Sequence, residues 1–237
     1  MNNQFFSFHY SQLMKVVAII PAAGMGKRFG SKTPKQFLKE SGREVIAQTL
    51  EKFNSCRAVD EIIVATMPEH FVRLSMIVRK NNFRKVTTIV EGGKTRHDSV
   101  HNALMISGCS KNDIVLVHDS VRPFVTSKLI IETIHHAQKF TCAIPVLPIS
   151  ETVKKISKND YVENTIDRST LATAQTPQGF RFGVLQSSFQ FAKQKRFNGT
   201  DESSIVEFAG HKVKTFPGEP GNIKITIKDD FKKLKTK

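Results

Sequence analysis

Short apolar runs rich in β-branched residues recur along the first 150 positions, and each is followed by a stretch with helical spacing. Residues 16–20 (Val-Val-Ala-Ile-Ile) read as a buried strand. Residues 44–53 read as a helix, because Val45, Ile46, Thr49, Leu50 and Phe53 fall on one stripe. The same rhythm predicts strands over 61–66, 86–90, 113–118 and 142–146. Helices are predicted over 69–80, 94–107 and 126–139, the last with Thr126 as its N-cap. Strands and helices alternating through short connections make a mostly parallel sheet, and right-handed crossovers place helices on both of its faces. The predicted class is α/β, with a Rossmann-like sheet.

The rhythm breaks near residue 150. Two polar strands, 152–156 and 161–166, flank the turn Ser157-Lys158-Asn159-Asp160. A hairpin with so few apolar residues cannot bury itself, so it is either an exposed flap or a protruding β-hairpin arm that packs on a second copy of the chain. A helix over 182–193, strands over 212–216 and 223–227 and a terminal helix complete the pattern. With no internal repeat and no long linker, the expectation is one domain over 14–237 with an inserted arm at about 150–168. Residues 1–14 lack the order of charge, long apolar stretch and small-residue site that marks a signal peptide. Residues 1–13 are expected to be a flexible extension or the product of an upstream start codon, since Met14 directly precedes the first strand.

Composition narrows the picture. The chain has 237 residues, 39% of them hydrophobic, enough to bury a substantial core. No apolar run approaches the roughly 18 residues of a membrane span. The three cysteines, Cys56, Cys109 and Cys142, form no Cys-x-x-Cys pair and no disulfide framework. They fit a reducing compartment, most simply the cytoplasm. Lys and Arg number 36 against 21 Asp and Glu, a net charge of +15. Such an excess suits phosphates of some kind. The basic residues are scattered, however, and no aromatic nucleic-acid box or helix-turn-helix spacing stands out. Neither a membrane nor a nucleic-acid partner is expected, and a polyanionic small substrate fits better.

The strongest chemical signal directly follows the first strand: Pro21-Ala22-Ala23-Gly24-Met25-Gly26-Lys27-Arg28. A Gly-rich turn at the carboxyl end of a strand presents backbone N–H groups, and small side chains let a phosphate come close. Two familiar phosphate loops do not fit. A P-loop needs Gly where Pro21 stands and Ser or Thr where Arg28 stands, and the dinucleotide fingerprint needs Gly where Phe29 stands. The segment instead runs on through Pro34-Lys35-Gln36, bringing further cations to an extended phosphate path.

Taken with later segments, this loop resembles the sugar-phosphate nucleotidyltransferases, and most closely the 2-C-methyl-D-erythritol 4-phosphate cytidylyltransferase family. The similarity runs from about Val16 to the C-terminal segment. It includes Gly92-Gly93-Lys94-Thr95-Arg96-His97-Asp98-Ser99-Val100, His118-Asp119-Ser120-Val121-Arg122-Pro123, Glu151-Thr152-Val153-Lys154 and Asp167-Arg168. Thr176-Pro177-Gln178, Thr200-Asp201-Glu202 and Asn222-Ile223-Lys224-Ile225-Thr226 complete it. Each is weak alone; their order along the chain is specific. The resemblance implies transfer of a cytidylyl group from CTP to methylerythritol phosphate with release of pyrophosphate, assisted by Mg²⁺. It implies Arg28, Lys35, Arg168 and Lys224 as catalytic cations. Ala22, Ala23, Gly24, Gly26, Gly93, Arg96, Ser99 and Asp119 would bind CTP, and Arg122, Thr152, Thr176 and Thr200 the acceptor. The metal would be held mainly by the CTP phosphates, with Asp119 as the candidate protein ligand. It further implies a homodimer whose arms complete each other's sites.

Two features depart from the family pattern: Glu151 stands where Asp is usual, and Ser120-Val121 replace Ala-Ala. Val121 also occurs in ribitol-5-phosphate cytidylyltransferases, which makes ribitol phosphate the alternative acceptor; a non-catalytic nucleic-acid binder is the remote one. Asp167-Arg168 and Thr200-Asp201-Glu202 favour methylerythritol phosphate. The histidines call for no catalytic role. His97 and His101, four apart, lack the Glu of a zinc-protease helix, and His118 reads as a satisfied core histidine.

Overall fold

The computed structural model describes residues 14–24, 33–40, 42–227 and 230. The expected extension over 1–13, Gly26 and Arg28 of the Gly-rich loop, and nearly all of the terminal helix lie outside these residues. Strand β1 (Val16–Pro21) is followed by a small hairpin, β2 (Lys39–Glu40) and β3 (Arg43–Glu44), and helix α1 (Val45–Ser55). Next come β4 (Glu61–Thr66), α2 (Phe71–Lys80), β5 (Val86–Glu91), α3 (Arg96–Met105), β6 (Ile114–Val117), α4 (Ser127–Phe140) and β7 (Cys142–Pro148). The second part holds β8 (Val153–Ile156), β9 (Val162–Ile166), β10 (Ala172–Ala174) and β11 (Gln178–Arg181). Helices α5 (Phe182–Gln194) and α6 (Glu202–Phe208) and strand β12 (Lys214–Pro217) follow.

The main sheet has eight strands, ordered β10-β7-β11-β6-β1-β4-β5, with β12 alongside β7. It is mostly parallel: β10 and β11 alone run against their neighbours. Alternation along β1 explains why its whole apolar run is buried. Val16, Ala18 and Ile20 face one core with α1, α2 and α4. Val17 and Ile19 face another with α3, α5 and α6. A strand covered on both faces shows continuous rather than alternating hydrophobicity, and each of its large side chains contributes about 1.5–3 kcal/mol of burial.

Three crossovers, β1–α1–β4, β4–α2–β5 and β5–α3–β6, share one hand. The fourth, β6–α4–β7, moves the same way along the sheet as β5–α3–β6, yet α4 lies on the α1 and α2 face. Its hand is therefore opposite, a correction to the right-handed rule. The antiparallel strand β11 fills the space between β6 and β7. There Gly179 is required, because a Cβ would lie 2.8 Å from the Thr133 methyl and 3.0 Å from the Ala137 methyl.

The expected hairpin forms as β8 and β9, which among the described residues pair only with each other. Ile156, Tyr161 and Val162 near its turn are exposed. Residues 223–227, expected as a strand, are irregular. Asn222 and Ile225 are instead fixed individually, Ile225 by an N–H bond of 2.9 Å to the Val121 carbonyl. No helix of the described residues is long and apolar enough to cross a membrane.

Candidate active site

Strand order reverses between β1 and β6, and in open α/β sheets ligands bind outside the carboxyl ends at such a point. A cavity of about 190 Å³ lies there. Its walls come from the loops after β1 (Pro21, Ala23, Gly24), β5 (Gly93 to Arg96) and β6 (Asp119 to Val121), with Lys35, Gln36, Ser99 and Lys224.

The Gly-rich loop is held from beneath. Gln36, 2% exposed, donates its amide to the Ala22 carbonyl at 2.6 Å and the Gly24 carbonyl at 3.2 Å. The Ala22 N–H reaches the Ala65 carbonyl at 2.7 Å. Lys35, beside Gln36, donates to the Ile225 carbonyl at 2.9 Å and so meets the segment that carries Lys224. Across the cavity, Gly93 admits no side chain, since a Cβ would sit 2.1 Å from Cβ of Asp98. Its N–H donates to the Ser99 hydroxyl at 3.0 Å. Thr95 caps α3 through a capping box with Asp98, which places Arg96 in the first turn facing the cavity.

Asp119 forms the centre. Its side chain is 8% exposed and meets three cations: Lys224 Nζ at 2.9 Å, Arg96 Nε at 3.2 Å and Arg122 Nε at 3.4 Å. Burial alone would raise its pKa, but the three charges more than offset this and hold the carboxyl well below the usual range. Arg122, itself buried, donates to the Asn222 carbonyl at 2.7 Å. Arg96 also reaches Glu202, a fully buried carboxylate, through Nη1 at 2.6 and 2.5 Å.

Beneath Asp119 runs a chain of bonds with one consistent set of donors. The Asp119 N–H donates to the Thr176 hydroxyl at 3.1 Å, and that hydroxyl donates to His118 Nδ1 at 3.0 Å. His118 Nε2–H then donates to the Arg122 carbonyl at 3.2 Å. Burial pushes the His118 pKa down to about 3, so the ring is neutral, as this chain needs. The reading of His118 as a satisfied core histidine holds.

The structure thus brings together Ala23, Gly24, Lys35, Gly93, Arg96, Ser99, Asp119 and Lys224 as lining residues. Ala22 and Arg122 lie directly behind them, bonded to Gln36 and Asp119. Thr176 is buried, with its hydroxyl engaged by Asp119 and His118, beneath the cavity rather than in it. Arg168, Thr152 and Thr200 are exposed and do not line the cavity of their own chain. Arg168 donates to the Ser150 carbonyl at the root of the arm. Sequence reasoning assigned no role to Gln36 or Glu202, although both sit inside segments it quoted. Among the described residues no group of three or more His, Cys, Asp or Glu side chains could hold a metal. Asp119 is the one carboxylate among the lining residues.

A family model described as 2-C-methyl-D-erythritol 4-phosphate cytidylyltransferase (IspD) matches residues 16–235. The chain is 41% identical over 226 residues to the protein of that name from Acidobacterium capsulatum, covering 92% of this chain and 95% of that one. It is 40% identical over 214 residues to the one from Bacillus mycoides, covering 90% and 93%. Among solved structures, the Francisella tularensis enzyme superposes with a TM-score of 0.78 at 32% identity, covering 94% of this chain and 99% of that one. The 4-diphosphocytidyl-2C-methyl-D-erythritol synthase of Anaerococcus prevotii gives 0.81 at 29% identity, covering 94% and 95%. Loop, sheet order and relatives agree, and the chain belongs to the 2-C-methyl-D-erythritol 4-phosphate cytidylyltransferase family.

Proposed function

We propose that this enzyme transfers the cytidylyl group of CTP to 2-C-methyl-D-erythritol 4-phosphate, in non-mevalonate isoprenoid precursor synthesis. A phosphate oxygen of the acceptor attacks the α-phosphorus of CTP, the bond to the β-phosphate bridging oxygen breaks, and pyrophosphate leaves with that electron pair. The nucleophile needs no general base, because a phosphate monoester has its second pKa near 6 and is already largely dianionic at pH 7. What the reaction lacks in water is a way to hold two polyanions together and to spread charge as the phosphorus becomes five-coordinate, which is the work of placed cations.

The observation that carries this reading is the gathering of Arg96, Arg122 and Lys224 around one carboxylate, with Lys35 lining the same cavity beside the Gly-rich loop. Lys35 and Lys224, with Arg28 from the neighbouring loop, neutralise the phosphates as pyrophosphate departs. Backbone at Ala22, Ala23, Gly24 and Gly93, with Ser99, holds the nucleoside, and Arg96, oriented by Asp119, holds its phosphate end. Arg122 and Thr176 set the position of Asp119, and Thr200 lies on the acceptor side. A divalent ion suits this donor set: a single carboxylate beside a triphosphate fits Mg²⁺, which keeps much of its water and binds chiefly through substrate phosphates. Such an ion would supply further charge neutralisation, and Asp119 is the residue that would hold it from the protein side.

Thr152 and Arg168 lie on or beside the arm and, among the described residues, do not line the cavity of their own chain, which supports a homodimer in which each arm reaches its partner's site. The rest of 14–237 is one domain. Three free thiols and a CTP substrate favour the cytoplasm. Phosphorus NMR of a reaction containing both substrates and Mg²⁺ tests the chemistry: two coupled diphosphate signals, distinct from those of CTP and pyrophosphate, are expected. Hydrolysis to CMP would contradict it.

A further inference from the structure

The helix α6 contributes nothing to the walls of the cavity, yet its first residue sends a carboxylate straight to a residue that does. Glu202 is fully buried. Both of its oxygens accept from Nη1 of Arg96 at 2.6 and 2.5 Å, while Nε of Arg96 donates to Asp119 at 3.2 Å. Two points of a planar guanidinium are thereby fixed, by carboxylates on two different elements. Among the described residues Nη2 makes no hydrogen bond, so the free edge is set by the two that do. His97 Nδ1, 3.4 Å from Glu202 Oε1, is close enough to feel that charge but too far for a well-formed hydrogen bond.

Glu202 is itself pinned. The preceding Asp201 accepts from the Gln178 amide of β11 at 2.7 Å, and Gln178 accepts from the Ser203 N–H at 3.1 Å. The start of α6 is thus tied to a central strand of the sheet. The other side of the same turn is held by His97, whose Nε2 donates to the Gly199 carbonyl at 2.7 Å. The carboxylate therefore reports the position of the sheet to Arg96, and the Arg96 side chain has two counter-charges pulling from different directions. Burial alone would lower the Arg96 pKa, and Glu202 and Asp119 together more than offset it.

We infer that Glu202 is a positioning residue for the cytidylyl transfer: it draws Arg96 away from a two-pronged pairing with Asp119 and presents the remaining edge of the guanidinium to the triphosphate. The inference rests on the function proposed above. Arginine pairs with carboxylates through two parallel N–H bonds whenever it can. Without Glu202, Arg96 would take both oxygens of Asp119, compete there with Lys224, and withdraw from the cavity. A charge buried to this degree without its partner is strongly unfavourable, so Glu202 and Arg96 act as a unit.

The test is a double-mutant cycle on the full chain with Glu202→Gln, Arg96→Gln and both together. The readouts are kcat and KM for each substrate, CTP affinity by calorimetry and circular dichroism of each variant. Glu202→Gln is expected to lower kcat/KM for CTP roughly tenfold to a hundredfold, as displacement of a positioned group does, and to change KM for methylerythritol phosphate less than twofold. Arg96→Gln is expected to lose at least as much, and the double variant no more than Arg96→Gln alone. A double loss equal to the product of the single losses would overturn the inference, as would wild-type kinetics in Glu202→Gln. If Arg96→Gln, which leaves the Glu202 carboxylate buried without its partner, fails to fold, the double variant, which buries no lone charge, is compared with Glu202→Gln: equal CTP affinity supports the inference, because Arg96 has already withdrawn, and a further loss refutes it. A wild-type protein that turns over neither substrate would instead defeat the proposed function, and the calorimetric cycle would still decide the role of Glu202.

Discussion

Replacing Asp119 by Asn keeps the shape of the side chain and removes the one negative charge shared by Arg96, Arg122 and Lys224. The three cations are not affected equally. Lys224 has a side chain 39% exposed and can return to water. Arg96 keeps Glu202. Arg122, 9% exposed, is left with the Asn222 carbonyl as its only other hydrogen-bond acceptor among the described residues. Breaking a buried ion pair from one side costs about 3–5 kcal/mol, and with one of three cations fully stranded the lower end applies, about 3 kcal/mol. For a domain of this size each kcal/mol moves Tm by about 2–4 °C, so a fall of roughly 6–12 °C is expected by circular dichroism at pH 7.5. The sign of the pH dependence follows from the depressed Asp119 pKa. Its stabilisation is present above the unfolded value near 3.9 and is lost as pH falls below it. The gap between wild type and variant should therefore be constant from pH 8 to pH 5 and narrow progressively below about pH 4, by up to about 1.4 kcal/mol per pH unit. Metal-free pyrophosphate should raise Tm more in Asp119→Asn than in wild type, because it replaces the missing counter-charge. A Tm within 2 °C of wild type at pH 7.5, or a gap that fails to narrow between pH 4 and pH 2, would refute the reasoning.

Lys35→Ala is expected to lower kcat roughly a hundredfold while leaving CTP affinity within a few-fold, the pattern of a group used in the transition state; single-turnover rates and calorimetry check it. His118→Gln should flatten the acid limb of stability. His118 has a folded pKa of about 3 against 6.5 unfolded, so wild-type stability falls as pH drops below 6.5, by up to about 1.4 kcal/mol per pH unit, and a melting series from pH 7 to pH 4 reads the difference. Arg168→Ala should raise KM for methylerythritol phosphate and spare CTP binding. Mixing it in equal amounts with Lys35→Ala should restore about a quarter of wild-type activity, since half the dimers are mixed and each has one intact site; no gain on mixing would place Arg168 in its own chain's site.

The first half of the fold was legible because both sheet faces are covered, so buried strands show as unbroken apolar runs between amphipathic helices; the strand predicted over 61–66 is β4 residue for residue. Strand β11 was not legible: Gln178-Gly179-Phe180-Arg181 has one large apolar residue, and its place is fixed by Gly179 fitting against α4. Helix α6 is only seven residues long and is announced by a cap, Asp201 with Ser204, rather than by periodicity. The strand expected over 223–227 failed for the opposite reason: the alternation Ile223, Ile225, Ile227 suggests a strand, but Ile225 alone is buried, in a small cluster with Val45 and Val121. Motif reasoning found the lining residues and missed those one layer down. Gln36 and Glu202 act on backbone carbonyls and on Arg96, contacts that no spacing along the chain reveals.

The central claim is a cytidylyl transfer whose acceptor is methylerythritol phosphate. Pyrophosphate release, measured with CTP and Mg²⁺ in the presence of methylerythritol phosphate, ribitol phosphate or no acceptor, tests it most directly. Release with methylerythritol phosphate alone is the predicted result. Release with ribitol phosphate and not with methylerythritol phosphate would contradict the acceptor assignment, and silence from folded protein in all three would contradict the claim itself.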